Sequence, residues 1–128
     1  MKKTLVSLLF LMVLGVPARG DQARYLSIRA EAEQGDAKAQ NKLGAYYQLG
    51  LNVEQDDIEA VKWFRLAAVQ GEGEAQFNLG EMYENGRGVS LDKREALDWY
   101  RKSCDNGCKC GCRSYRILRK ELEFDPLP

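Results

Sequence analysis

Ala75-Gln76-Phe77-Asn78-Leu79-Gly80-Glu81-Met82-Tyr83, followed by Asn85-Gly86-Arg87-Gly88-Val89, has a degenerate earlier copy in the same chain. A shift of 36 residues lays Ala39-Gln40 on Ala75-Gln76, Leu43 on Leu79, Gly44 on Gly80, Tyr47 on Tyr83, Gly50 on Gly86 and Val53 on Val89. Downstream, Glu59-Ala60 falls on Glu95-Ala96, Trp63 on Trp99 and Phe64 on Tyr100, while Gly35, Gly71 and Gly107 come into register. A fixed period of this kind marks a stacked-repeat architecture, in which one unit cannot bury its apolar face alone and leans on the next. Such proteins usually bind other proteins.

Each unit reads as two helices separated by glycine-rich turns. Ala60, Val61, Phe64, Ala67 and Ala68 fall at i, i+1, i+4, i+7 and i+8, a continuous apolar stripe along one helix. Gly71 follows and is able to take the left-handed conformation that ends a helix. The other helix carries Ala39, Leu43, Tyr46 and Tyr47 before Gly50 in one unit, and Ala75, Leu79, Met82 and Tyr83 before Gly86 in the next. Small Gly44 and Gly80 let neighbouring helices approach, and the repeat-spaced aromatics Tyr47, Tyr83, Trp63 and Trp99 are packing residues rather than a ligand cage. Asp56 and Asp92 are placed as N-caps, and Asn52, standing where the later copy has Gly88, also tolerates a left-handed backbone.

The start of the chain is different in kind. Met1-Lys2-Lys3 and the apolar run Leu5 to Val16 end in Pro17-Ala18-Arg19-Gly20, an arrangement expected of a secretory signal cleaved before Asp21. The run is shorter than the roughly 20 apolar residues of a spanning helix. Loss of Lys2, Lys3 and Arg19 leaves 16 basic against 19 acidic residues, a formal net charge of −3. That balance argues against a nucleic-acid partner, for which a concentrated basic face would supply most of the affinity. Arg113, Arg116, Arg119 and Lys120 read instead as a solvated helix face. The expected product is exported, periplasmic or secreted, with no stable membrane insertion once the signal is gone.

The two copies, with Asp92 and Glu95-Ala96-Leu97-Asp98-Trp99-Tyr100-Arg101-Lys102, resemble the Sel-one-like repeats of the tetratricopeptide superfamily. The resemblance covers most of the expected mature chain. It implies an all-α fold, an α/α solenoid of antiparallel helix pairs that acts as an adaptor or scaffold for other proteins. The expected organisation is a signal at 1–20 and a single repeat domain at 21–128. Within it, 21–35 is an N-terminal capping helix, 36–71 and 72–107 are two full repeats, and 108–128 is a C-terminal capping helix with a tail. Asp21 to Gln34 echoes the second helix of a preceding unit, with Ser27 for the Trp and Glu31 for the Ala, and the closing helix contains Tyr115, Ile117, Leu118 and Leu122.

All four cysteines, Cys104, Cys108, Cys110 and Cys112, lie together near the C-terminus. Cys104 stands where the previous unit has Ala68 and Cys112 where it has Gln76, positions that end one helix and begin the next. A secreted cysteine-rich branch of the same family joins cysteines eight residues apart at that corner, and the resemblance implies Cys104–Cys112. The roles of Cys108 and Cys110 stay open, because four cysteines allow three complete pairings. The alternative is metal: C-x3-C-x-C-x-C offers four thiolates suited to zinc or cuprous copper. Against it stand the tight spacing, the absence of histidine and an oxidising compartment. A catalytic thiol would lack a His base.

Two further functional expectations follow. The leading one is a protein or peptide partner bound on a shallow concave surface lined by the first helix of each pair, with no cofactor and no catalysis. The residues off the packing stripe there are Lys42 with Asn78, Ala45 with Glu81 and Leu49 with Asn85. The other is enzymatic: Ser90-Leu91-Asp92-Lys93 matches the S-x-x-K pattern of penicillin-recognising enzymes, and members of the cysteine-rich branch carry penicillin-binding or β-lactamase labels. Neither K-T-G nor S-D-N follows, and a chance match is the preferred reading.

Overall fold

The computed structural model describes residues 19–124. Its helices are α1 (Arg19–Glu33), α2 (Ala37–Leu49), α3 (Asp57–Ala68), α4 (Gly73–Asn85), α5 (Lys93–Asp105) and α6 (Lys109–Phe124), and among the described residues there is no strand. The expected signal segment lies outside the described residues apart from Arg19 and Gly20, which open α1. Successive helices pack on one another, and the first helices of neighbouring units also touch, α2 with α4 and α4 with α6, whereas α3 and α5 do not. The result is an α/α solenoid that closes toward its first helices, with α2–α3 and α4–α5 as full units and α1 and α6 at the ends.

Local chemistry sets the helix limits. The Asp56 carboxylate accepts from the N–H groups of Ile58 and Glu59 at 3.0 and 3.1 Å, and Asp92 accepts in the same way from Arg94 and Glu95. Asp36 and Glu72 cap α2 and α4 by accepting from Ala39 and Ala75 at 2.7 and 2.6 Å. These side chains satisfy donors that the first turn leaves unpaired. In the loops, Asn52 at φ 58° takes the place of Gly88 at φ 69°, the substitution a left-handed position tolerates best.

Packing between the paired helices depends on two glycines. A methyl group on Gly44 would lie 2.6 Å from the Phe64 ring, and one on Gly80 would lie 2.6 Å from the Tyr100 ring. Each aromatic ring therefore rests on bare helix backbone, and Phe64, Tyr100, Leu43 and Leu79 are all at most 1% exposed. The corresponding position of α6 holds Arg116, which is exposed, and among the described residues no helix covers it. Leu118, Tyr115 and Leu122 pack inward from α6, but Ile117 points outward and is 59% exposed.

Candidate protein-binding surface and cysteine corner

The inner face is stitched from polar side chains on α2 and α4. The Asn78 amide donates to Asn41 Oδ1 at 2.8 Å, and the Gln48 amide approaches Met82 Sδ at 3.7 Å, both across the seam between units. Lys42 is exposed beside this seam; it borders one depression shared with Arg24, Ser27, Ile28, Glu31 and Tyr46, and another shared with Lys38, Asn41, Glu72 and Glu74. Leu49 is 66% exposed, and Asn85 is exposed while donating to the Glu81 carbonyl at 2.9 Å. Ala45 is half-buried against the central cluster, and Asn78 is half-buried in its bond to Asn41. Of the six expected contact residues, Lys42, Leu49 and Asn85 thus present free surface, while Ala45, Asn78 and Glu81 are partly taken up by the fold. Asn41 and Gln48 were missed as seam residues. Asn41 stands where the later unit has Phe77 and Gln48 where it has Glu84, substitutions that by themselves name no partner.

Charge on this side is uneven. Burial, then the neighbouring Glu84 carboxylate, raises the Glu81 pKa above the ordinary carboxylate range, with Arg87 opposing. Glu84 itself accepts a hydrogen bond from the Tyr100 hydroxyl, and burial together with that bond raises the Tyr100 pKa. The earlier unit has Gln48 and Phe64 at these two places, so the acid and the hydroxyl are exchanged together. Arg87 forms a two-pronged pair with Asp57, Nε to Oδ2 at 3.1 Å and Nη2 to Oδ1 at 2.9 Å, which ties the second loop to the start of α3. Beside it, Gly88 passes so close to the Asp57 carbonyl that a Cβ would collide with it.

The cysteine corner lies where α5 turns into α6. Cys104 is joined to Cys112, with Cα atoms 4.4 Å apart, and Cys108 to Cys110, with Cα atoms 5.3 Å apart. Ser103 is fully buried beneath them and donates to the Gly73 carbonyl at 2.7 Å. Gly111 lies against Ser103 and the Cys104 backbone, too close for any side chain. With both pairs closed, no thiolate remains to ligate zinc or cuprous copper.

The two ends of the S-x-x-K match sit on different elements. Ser90 is an exposed loop residue ahead of the Asp92 N-cap, and Lys93 opens α5 and pairs with Glu121 of α6. The depression that Ser90 borders is also lined by Gln55, Asp56 and Asp57. Trp99 is a core residue with its indole N–H donating to Glu95 at 3.1 Å, and Trp63 packs half-buried against the core cluster nearest the N-terminus.

Among the described residues, no helix is long and apolar enough to cross a membrane. The Sel1 repeat family model matches residues 37–72 and 73–108, two consecutive units. Three solved structures share the fold. The SLR-fold protein c5321, a protective antigen of uropathogenic Escherichia coli strains, is 34% identical with a TM-score of 0.74; the match covers 77% of this chain and 21% of that one. This chain thus spans about a fifth of that antigen. A Sel1 repeat protein from Oxalobacter formigenes is 36% identical with a TM-score of 0.68, over 70% of this chain and 68% of that one. Cysteine-rich protein B of Helicobacter pylori is 22% identical with a TM-score of 0.68, over 71% and 68% respectively, a likeness of fold. None of the curated proteins is similar enough in sequence to count as a relative. With more than half of its residues inside two matched units, the chain belongs to the Sel1 repeat family.

Proposed function

We propose that this chain is an exported protein–protein interaction module, an adaptor with no catalysis of its own, which presents the inner face of α2 and α4 to a protein or peptide. Sel1 repeats typically serve as interaction modules, and that coarse role comes with the family. The observation that carries the finer reading is the seam. Asn41–Asn78 and Gln48–Met82 merge two first helices into one surface on which Lys42, Leu49 and Asn85 stand free. A solenoid offers such a face as a rigid, extended platform, so binding requires little ordering of the module itself. Export is supported by the two disulfides, which persist in oxidising compartments.

The test uses protein exported from its own full-length chain and immobilised against proteins of the same compartment. Partners retained by the wild type are then measured against a Lys42→Glu, Leu49→Ala, Asn85→Ala variant of unchanged helicity. A drop in affinity of about tenfold or more is expected if central contacts are lost. Undiminished capture by the variant would place binding elsewhere and overturn the reading.

A further inference from the structure

The two disulfides of the corner are unlike in what they hold. Cys104–Cys112 bridges the end of α5 to the first turn of α6, across the Gly107 turn and a separation of eight residues. Opening it releases one helix from the other. By reciprocity, a bond that stabilises the fold is protected from reduction by the fold to the same degree. Cys108–Cys110 closes a separation of two residues at the entry to α6, within a single turn. Its opening leaves Cys104–Cys112 and the packing of α6 on α5 in place, so the fold offers it little protection.

The repeat adds a second, independent difference. Residues 36, 72 and 108 are equivalent, and at the first two the side chain is a carboxylate that accepts from the helix, Asp36 from Ala39 N–H at 2.7 Å and Glu72 from Ala75 N–H at 2.6 Å. Cys108 is the third member of that series, and the corresponding amide is that of Gly111. A position that holds an anion in two units also stabilises a thiolate in the third, and a stabilised thiolate is the better leaving group in disulfide exchange. Charged side chains on the segments that meet here are mixed in sign: Lys102, Asp105, Lys109, Glu72 and Glu74. The backbone amides, not net charge, set Cys108 apart. Cys108 and Cys110 are half-buried, as are Cys104 and Cys112, so exposure does not separate the two pairs.

We propose that Cys108–Cys110 is a thiol-exchange site that accepts two electrons from a thiol donor while Cys104–Cys112 remains closed. A donor thiolate attacks Cys110 Sγ, the Cys108–Cys110 bond breaks, and its electron pair leaves on Cys108 Sγ. A second donor thiol attacks the mixed disulfide, and Cys110 Sγ departs as a thiolate and takes up a proton. The donor pair ends as a disulfide and the protein as a Cys108 thiolate with a Cys110 thiol, the second donor's proton passing to Cys110, so electrons and protons balance. The site is chemically separate from the inner face and does not depend on what binds there.

The experiment equilibrates the exported, oxidised protein in glutathione buffers of graded ratio, traps free thiols by acid quench and alkylation, and maps them by peptide mass. Half-opening of Cys108 and Cys110 is expected at a reduced-to-oxidised glutathione ratio about tenfold or more below the one that opens Cys104 and Cys112. Opening of both pairs together, or of Cys104–Cys112 first, would overturn the proposal. A Cys108→Ser, Cys110→Ser variant, its helicity checked by circular dichroism, should take no label in the first window. Label appearing there on Cys104 or Cys112 would also overturn it.

Discussion

The corner between the two full units and the corner before α6 are the same geometry closed by different chemistry. At the inner corner, the buried Gln76 amide donates to the Ala68 carbonyl at 2.9 Å, and Asn106 donates to Gln76 Oε1 at 2.9 Å. Gln40 repeats this one unit earlier, donating to Ala32 and accepting from Gln70 at 2.7 Å. At the last corner, Cys104 replaces the alanine and Cys112 the glutamine. The reason lies in what comes next. A glutamine here needs a partner on each side, the second supplied by the end of the following helix, and within the described residues no helix follows α6. A cysteine needs one partner only, so the covalent bond closes this corner without help from a following helix.

The strongest way to break this comparison is to remove the covalent corner. Cys104→Ala with Cys112→Ala should cost about 2–3 kcal/mol in urea unfolding under oxidising conditions, the loop-closure value for a short bridge. Next, Gln76→Ala strips the Ala68 carbonyl and the Asn106 amide of their partner and should cost about 1–2 kcal/mol, with Gln40→Ala close behind. If the inner loss exceeds the outer, the covalent corner is not the tighter one. Rebuilding the last corner in the inner style, with Cys104→Ala and Cys112→Gln, should recover only about 0.5 kcal/mol over the double alanine, because one side of the amide has no partner.

The smallest effect compares the units themselves, through Glu81 and its counterpart Ala45. The Glu81 pKa is raised in the fold, so between its ordinary value and the raised one the folded state holds more protons than the unfolded state. Stability therefore falls as pH rises through that window, and the charged carboxylate costs stability near neutrality. Glu81→Gln should raise the melting temperature at about pH 7, and the gain should fade once the pH drops below about 4, where wild-type Glu81 is protonated in both states. An equal gain at both pH values would show that charge is not the cause.

Helix order, the capping aspartates and the left-handed Asn52 were legible because each rests on near neighbours in the chain or on the repeat register. Trp63, Trp99 and the Phe64 stripe were legible as packing residues for the same reason. The seam was not. Asn41 meets Asn78 and Gln48 meets Met82 at separations of 37 and 34 residues, and a single amide on a helix carries no mark of whether its partner is water or another helix. That is also why Asn78 and Glu81 read as open surface when each is half-buried. Ile117 lies in the closing helix as expected and faces solvent, and within the described residues no helix covers that side of α6.

Arg116 bears on how a chain of this kind can grow. Gene duplication adds whole units, and a unit joined behind α6 would have to seat its aromatic ring on a guanidinium stem where Gly44 and Gly80 offer bare backbone. A duplicate inserted at the α3–α4 boundary meets a seam that already repeats itself and needs no such change. A unit added in the interior therefore leaves the cysteine corner and Arg116 as they are. To seat a further aromatic ring on α6 as on α2 and α4, the first change is Arg116→Gly.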